Sequence, residues 1–460
     1  MKKSMRISAA IGLAVVLTLS AAVHAEDADQ GMASAAPAGV SAPATADLNN
    51  QITALRAAVV ALSAQQDDMG KTLKNWVNLS GDLRYRYENN DFFNTPAAKI
   101  GVNTVQAGLV GKILDWERYR LRLRIQELAQ VNDFTNVVVR LSTDTYLTTN
   151  APYGWPNATT QVLNSYGDKA PVFVEDAYMV IAPRVILQPT FVAGVQGMPF
   201  LFDGTNANLI FDDGLTDDGL SLSLMTPTWM GADLRVIAAQ FINEDSDTGL
   251  AFYSPTQHPK FEGSQVVLDF NAAPMGAAMG LSLGAAYYNW LYVKGTDIFT
   301  QGWPGTYTNN VGNTGTNILT NGFSLDDFIA TYNAVLAGVP IKAFYEHVQN
   351  TVEVGNNVGY VTGAEVASGN LIPWNKNEVT LGYNYRVVDT DAVLSIWSDI
   401  NFNGGGTDAM GGKFYAIVML GKALWVSFQE LNDQGNLQAE ATGGHYSLCQ
   451  RTLVDINAKF

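Results

Sequence analysis

The stretch that decides the fold is Glu117-Arg118-Tyr119-Arg120-Leu121-Arg122-Leu123-Arg124-Ile125-Gln126. From Arg118 onward it alternates strictly between charged or polar side chains and apolar ones. Successive side chains of a β-strand point to opposite faces, so the stretch predicts a strand with one apolar and one cationic face. A soluble sheet with its polar face in water has this pattern, and so does a membrane barrel with lipid outside and water inside.

The composition favours β-structure and excludes several classes of protein. The chain has 460 residues with 42 glycines, 10% aromatic residues and only 15% charged residues. Its hydrophobic content of 47% is too high for intrinsic disorder. The 43 acidic residues against 27 basic ones give a formal charge of −16, which repels phosphate backbones. We therefore expect no nucleic-acid partner.

Cysteine and histidine are too sparse for a disulfide scaffold or a metal centre. Cys449 is the one cysteine, and the four histidines lie far apart in the sequence. A zinc module needs several thiols or imidazoles at close spacing. We expect no metal and no cofactor, and we interpret Cys449 as an inert free thiol.

The N-terminus is typical of an exported protein. Residues 1–25 are a predicted signal peptide, with three cations, an apolar run and small residues before Glu26. Its removal takes the formal charge from −16 to −19. Residues 26–46 are rich in Ala, Pro, Ser and Gly and are interpreted as a linker. No later stretch has the roughly 18 apolar residues of a membrane-spanning helix, so an anchor would require an uncleaved signal.

A heptad pattern follows the linker and predicts a short coiled coil at 47–76. Its core positions recur with a period of 3.5 residues, and a polar residue interrupts them once: Leu48, Ile52, Leu55, Val59, Leu62, Gln66, Met69, Leu73 and Trp76. A helix cannot bury such a stripe alone. Self-association, with a trimer favoured, is the first interpretation, and one amphipathic helix packed on the next domain is the alternative.

From residue 77 to residue 460 the period changes to two, and the chain predicts an all-β transmembrane antiparallel barrel. We place sixteen strands at 78–88, 116–127, 135–143, 172–181, 189–196, 219–226, 233–242, 264–271, 280–290, 326–335, 340–349, 377–387, 391–399, 412–420, 423–430 and 447–460. Connections after odd-numbered strands are long and those after even-numbered strands are short, as in bacterial outer-membrane barrels. Both barrel ends then fall on the short-connection, periplasmic side.

The last predicted strand ends on an aromatic residue, Phe460. A terminal Phe that closes an alternating strand resembles the insertion signal of Gram-negative outer-membrane barrels. Phe460 is therefore the candidate insertion signal. A barrel of sixteen strands is too wide for side chains to fill, so it normally leaves an aqueous channel.

If the apolar side chains face lipid, a cationic wall faces the lumen. The predicted pore-lining residues are Arg84, Arg86, Arg118, Arg120, Arg122, Arg124 and Arg140. Arg235, Arg386 and Arg451 share this parity but are isolated. The alternative is a set of solvated or paired side chains on a soluble sheet.

The third long connection, 197–218, is strongly acidic. It holds five carboxylates and no cation: Asp203, Asp212, Asp213, Asp217 and Asp218. We predict a constriction loop that folds into the barrel and faces the arginines, giving a transverse field. An exposed acidic loop that binds divalent cations is the alternative, although its spacing matches no recognised calcium loop.

Five segments in order resemble the putative porin family of Gram-negative bacteria: 80–88, 117–124, 175–178, 194–200 and 218–220. The resemblance covers about residues 48–460 and is most specific in the first half of the barrel and at the C-terminus. It implies a passive outer-membrane channel, a homotrimer with a periplasmic coiled coil. A second apolar cluster at Leu209-Ile210-Phe211 departs from the family pattern.

The sequence therefore predicts a porin, a non-enzymatic channel for small hydrophilic solutes or ions whose other partner is outer-membrane lipid. Seven clustered arginines favour a weak anion preference. The alternatives are a non-conducting outer-membrane anchor, a barrel hydrolase and a soluble secreted β-protein. The hydrolase is disfavoured because His347 and His445 lie in no recognised nucleophile motif.

Overall fold

The structure is a computed structural model. It describes residues 77–93, 114–143, 161–162, 172–201, 209–212, 214–226, 231–242, 259–272, 279–294, 319, 321–368, 379–399, 401–402, 407–435 and 447–460. The predicted signal peptide, linker and coiled coil lie outside these residues.

The described chain forms a closed antiparallel β-barrel of sixteen strands, which confirms the predicted class and strand number. Its strands are β1 (Val77–Phe93), β2 (Leu114–Asn132), β3 (Thr135–Thr143), β5 (Val172–Ile181), β6 (Thr190–Gly197), β7 (Thr216–Met225), β8 (Ala232–Ile242), β9 (Lys260–Ala272), β10 (Met279–Leu291), β11 (Phe323–Leu336), β12 (Val339–Asn350), β13 (Val358–Ala367), β14 (Val379–Val388), β15 (Ala409–Gly421), β16 (Leu424–Gly435) and β17 (Ser447–Lys459). A two-residue strand, β4 (Gln161–Val162), adds to β2. β1 closes the ring by pairing with both β2 and β17. Within the described ranges no helix is long and apolar enough to cross a membrane.

The alternation along each strand sorts side chains between two faces. On β1 and β2 the outer side chains Leu83, Tyr85 and Tyr119 are 39%, 38% and 45% exposed, whereas Arg86 and Arg120 on the inner face are buried. The rings of Tyr85 and Tyr119 stack with centroids 5.9 Å apart. An apolar exterior around a charged interior is the arrangement that a barrel needs in lipid.

The connections distinguish the two ends of the barrel. The long-connection end carries 94–113, 144–171, 198–215, 243–259, 292–322, 389–408 and 436–446, and the short-connection end carries 133–134, 182–189, 226–231, 273–278, 337–338 and 422–423. The predicted alternation is confirmed except beside β13, where 351–357 is short and 368–378 is longer. β1 begins and β17 ends at the short-connection end.

One predicted strand is wrong. Residues 391–399 lie in the 389–408 connection, where they form a single 3-10 turn at Ser395–Trp397. Ala392, Val393 and Leu394 are all buried there, so consecutive side chains leave no face for lipid or water. The strand that the sequence analysis missed is β13, and this omission offsets the false strand in the count of sixteen.

The C-terminal residue takes part in closing the barrel. The Gly81 N–H donates to the Phe460 carbonyl oxygen at 2.9 Å, and the Phe460 N–H donates to the Gly81 carbonyl oxygen at 3.0 Å. The Phe460 ring covers Gly81 so closely that a Cβ atom there would collide with it. Glycine is thus required opposite the terminal ring.

Deleting Phe460 is expected to lower the yield of folded barrel, because it removes both backbone hydrogen bonds and the ring over Gly81. Two such bonds contribute about 1–3 kcal/mol together. The measurement is the fraction of protein with heat-modifiable electrophoretic mobility after refolding into lipid. Phe460→Tyr keeps the backbone and the ring and should fold like the wild type. Equal yields for the deletion and the wild type would contradict the prediction.

Candidate functional site: the barrel interior

An arginine ladder lines the interior of β1, β2 and β3. We use this name for the described side chains Arg84, Arg86, Arg120, Arg122, Arg124 and Arg140. They lie on the face opposite the exposed apolar residues. Arg118 lies in β2, where its backbone is in register with Glu88.

Carboxylates on neighbouring strands neutralise most of the ladder. Arg86 donates from Nε and Nη2 to the two carboxylate oxygens of Asp455, at 2.6 and 2.7 Å. Arg120 donates to Glu88 at 3.3 Å, and the side chain of Glu88 is fully buried. Buried charges are tolerated when such hydrogen-bonded partners surround them, because charge-assisted bidentate pairs are the strong ones.

A bulge in β5 supplies two adjacent carboxylates to the same face. The register shifts so that Arg140 lies opposite Asp176 while Leu141 lies opposite Val174, which leaves Glu175 as the extra residue. Arg124 then binds Glu175 at 2.5 Å, and Arg140 binds Glu175 at 2.6 Å and Asp176 at 2.7 Å. In a regular strand without the bulge, the consecutive side chains of Glu175 and Asp176 would point to opposite faces, so one of the two carboxylates would face lipid.

These pairs change the expected picture of a cationic wall that faces an acidic loop. The expected counter-charges were the aspartates of the 197–218 connection, but those observed come from the strands themselves. The sequence contained evidence for these pairs. Asp82 and Glu88 are separated from Arg84 and Arg86 by even numbers of residues along β1, so all four side chains point to the same face.

The described aspartates of the acidic connection lie in different settings. Asp217 and Asp218 belong to β7, and Asp218 is exposed on the outer face. Asp212 is buried, its carboxylate accepts from the Gly214 N–H at 2.9 Å, and its own N–H donates to the Trp397 carbonyl oxygen at 2.7 Å. Asp203 and Asp213 lie outside the described residues.

The described part of the 198–215 connection contributes mainly apolar side chains to the interior. We call the set Phe200, Phe211, Phe261, Tyr288, Trp290 and Trp397 the aromatic core. Ring centroids are 4.9 Å apart for Phe200 and Tyr288, and 4.8 Å apart for Phe261 and Trp290. The cluster Leu209-Ile210-Phe211, which departs from the family pattern, is buried in this core. It fills the interior beside β8–β11 at the long-connection end.

A second connection, 389–408, also folds inward, and we call it the inner loop. Asp399 accepts a hydrogen bond from Arg386 Nη2 at 2.7 Å, and its carboxylate lies 3.7 Å from Lys413 Nζ. These three side chains are at most 2% exposed. Arg386 also stacks over the Phe402 ring at 4.2 Å. One buried carboxylate between two buried cations therefore attaches the loop to β14 and β15.

The inner loop reaches other parts of the interior as well. Arg451 of β17 donates to the Asn401 carbonyl oxygen at 3.0 Å, and Asn321 donates to Asp391 at 2.8 Å. Together with the bond from Asp212 to Trp397, these contacts join the loop to β17 and to two other long connections. The loop thus extends from β14 and β15 to the β17 side of the barrel.

The family model of putative porins matches residues 21–317. The chain belongs to the putative porin family. No curated protein matches it. The family and the barrel together support an outer-membrane location and a non-enzymatic channel.

Solved outer-membrane proteins with similar folds are more distant. A loop-deletion mutant of OmpT from Vibrio cholerae is 13% identical, with 84% of this chain and 99% of that chain covered and a TM-score of 0.44. The outer membrane channel DcaP of Acinetobacter baumannii is 12% identical, with 84% and 97% covered and a TM-score of 0.43. OprB of Pseudomonas putida is 10% identical, with 85% and 96% covered and a TM-score of 0.47.

In this putative porin, sequence reasoning missed the inner loop and its charged anchor. Arg386 was noted only as an isolated inward residue, and Lys413 and Asp399 were not noted. The available signal was the run from Ala392 to Trp397, whose apolar residues are consecutive and do not alternate. Such a run suits a segment buried on all sides better than a barrel strand.

The ionisation of Asp399 is coupled to loop docking. Burial by itself raises the pKa of this carboxyl, but Lys413 and Arg386 more than offset burial and hold the pKa below the ordinary 3.8. A lowered folded-state pKa adds stability that is complete above the unfolded-state pKa and is lost as the pH falls through the folded-state pKa.

Asp399→Asn is expected to release the inner loop, because it removes the buried carboxylate charge that binds Arg386 and lies next to Lys413. Removing one partner of a buried pair costs about 3–5 kcal/mol. The measurement is the rate of chymotryptic cleavage after Trp397 and Phe402 in the folded protein. Asp326→Asn, which removes an exposed carboxylate from the outer face of β11, is the matched control and should leave the rate unchanged. Equal protection of Asp399→Asn and the wild type would contradict this anchor.

Acid should also release the inner loop, but only at a pH below the usual pKa of an aspartate side chain. Docking should be fully retained down to the ordinary aspartate pKa of 3.8 and lost as the pH falls further, since the pKa of Asp399 in the folded protein is the lower one. Pepsin cleavage within 389–408 across this range measures the release. Release already near pH 5 would show that another group controls the loop.

Proposed function

We propose that this protein is an outer-membrane porin through which small hydrophilic solutes and ions diffuse passively, without a covalent step. The observation that carries the proposal is a closed sixteen-strand barrel with an apolar exterior and a charged interior. A charged interior has no role in stabilising the barrel against lipid, whereas it provides a hydrated path for polar solutes.

The path runs along the arginine ladder. The aromatic core and the inner loop occupy the interior beside β8–β15 at the long-connection end, whereas the ladder lies on the other side of the ring. The solute path is therefore bounded by the ladder on one side and by the two inward connections on the other. The inner loop narrows this path together with the 198–215 connection, which the sequence analysis predicted to be the constriction loop.

The ladder also sets the sign of selectivity. Its six arginines face five carboxylates, namely Asp82, Glu88, Glu175, Asp176 and Asp455. Because most arginines are paired, the surplus is small. This supports a weak anion preference.

The assembly follows from the N-terminal sequence. The heptads of 47–76 would sit in the periplasm, since β1 begins at the short-connection end. In the proposed homotrimer the coiled coil joins three copies of the chain, and the barrel of each copy lies in outer-membrane lipid. Its domains are the signal peptide 1–25, linker 26–46, coiled coil 47–76 and barrel 77–460.

A non-conducting outer-membrane anchor is the second candidate, and the aromatic core favours it. Its rings are nearly inaccessible and fill part of the lumen. If the core and the inner loop close the lumen completely, the barrel holds the coiled coil at the membrane and passes nothing.

Single-channel conductance in a planar bilayer separates the two candidates. The porin predicts stepwise insertions in multiples of three and a reversal potential toward anions in a salt gradient. Replacing 392–406 with a short Gly-Ser linker should raise the conductance, because it removes the inner loop from the path. The matched control replaces the exposed 184–187 turn, at the opposite end of the barrel, with Gly-Ser residues, which should leave the conductance unchanged. Insertion without conductance in the wild type would favour the anchor.

A further inference from the structure

One cation of the arginine ladder is not neutralised by the carboxylates around it. Arg84 makes no ion pair or hydrogen bond with a described residue, and its Nε atom is buried without an acceptor. Arg86, Arg120 and Arg122 repel it, and Asp455 attracts it. Both oxygens of Asp455, however, already accept hydrogen bonds from Arg86. A guanidinium with open donors thus remains among like charges.

The residues beside Arg84 add further donors. Asn457 of β17 lies opposite Arg84 in register, and Lys459 lies opposite Asp82 on the same interior face. Asp82 itself accepts from Arg122 at 3.0 Å. Lys459 makes no ion pair within the described part of the chain, and its Nζ lies 5.3 Å from the centroid of the Trp425 ring.

The three donors differ in exposure, since Lys459 is exposed, Arg84 is half-buried and Asn457 is buried. The side chains of Arg86 and Asp455 are 6% and 5% exposed, whereas those of Arg122 and Asp82 are 17% and 24% exposed. Lys459 is exposed at the short-connection end. A solute that enters along β17 from that end would therefore meet Lys459, then Asn457 and Arg84, before the Arg86–Asp455 pair.

We infer that Arg84, Asn457 and Lys459 form a binding site for the oxyanion group of a small solute, a carboxylate or a phosphate. The inference deepens the proposed function and rests on it for the solute's route. A guanidinium binds two oxygens of one group through parallel N–H donors, a geometry that chloride cannot use. The Asn457 amide and the Lys459 ammonium supply further donors to the same group.

The test is equilibrium binding, measured by isothermal titration calorimetry of the detergent-solubilised mature protein in chloride buffer. The probes are inorganic phosphate and acetate. The wild type should bind one phosphate per chain saturably, and Arg84→Gln should weaken binding on the order of tenfold through the loss of a charge-assisted hydrogen bond. Arg84→Lys keeps the charge without the planar fork and should fall between them.

The matched control is Arg235→Gln. Arg235 also lies on the interior face near the short-connection end, but it is paired with Asp269 at 2.8 Å. Its removal subtracts the same charge and should leave phosphate binding unchanged. Heat-modifiable mobility establishes that each variant is folded.

Absence of saturable phosphate binding to the wild type, or an equal loss in Arg84→Gln and Arg235→Gln, would overturn the site. Single-channel recording of the same samples tests the proposed porin function independently of phosphate binding. Conductance without phosphate binding rejects the site and keeps the porin. Binding that depends on Arg84 in a protein that does not conduct keeps the site and rejects the porin.

Discussion

In lipid, every backbone N–H and C=O group must find its hydrogen-bond partner within the protein, and the rest of this structure depends on that constraint. A sheet satisfies it only when its first and last strands pair. Here β1 pairs with β17 over twelve residue pairs, from Asp82 with Lys459 to Phe93 with Leu448. The bond between Gly81 and Phe460 extends this seam by one residue. Closure then defines an inside, and the strict alternation along the strands decides which side chains enter it.

The interior meets a second constraint, which is the cost of burying charge. The protein stabilises its buried charges in two different ways. On β1, β2, β3, β5 and β17 many charges share one surface, and every arginine whose side chain is described, except Arg84, forms an ion pair with a carboxylate. At the inner loop the carboxylate of Asp399 lies 2.7 Å from Arg386 Nη2 and 3.7 Å from Lys413 Nζ. The first arrangement lines a surface, whereas the second attaches a connection to the wall. This contrast explains why the ladder borders the proposed path and the inner loop narrows it.

Sequence reasoning worked where the physics is local. The alternation in 117–126 identified the strand, its lipid face and its arginine face, because side-chain direction follows residue parity. It failed at 391–399, where apolar and β-branched residues predicted a strand but the segment is buried on every side. It also missed β13, where the inward residues Gly359, Val361 and Gly363 are not polar, so the alternation of apolar and polar side chains is weak. The bulge at Glu175 was equally hidden, since one extra residue reverses the parity that the pattern relies on.

The sequence by itself determined the all-β class, the apolar exterior and the placement of arginines on the inner face. Each follows from a period of two, whereas the count of sixteen strands was reached because one false strand offset one missed strand. Only the tertiary structure decided which connections turn inward and which charges pair. The Asp212 N–H meets the Trp397 carbonyl oxygen, and Arg86 meets Asp455, across large separations in the chain. Such contacts exist only after the barrel has closed, because closure brings the first strand beside the last and encloses the space that the two connections share.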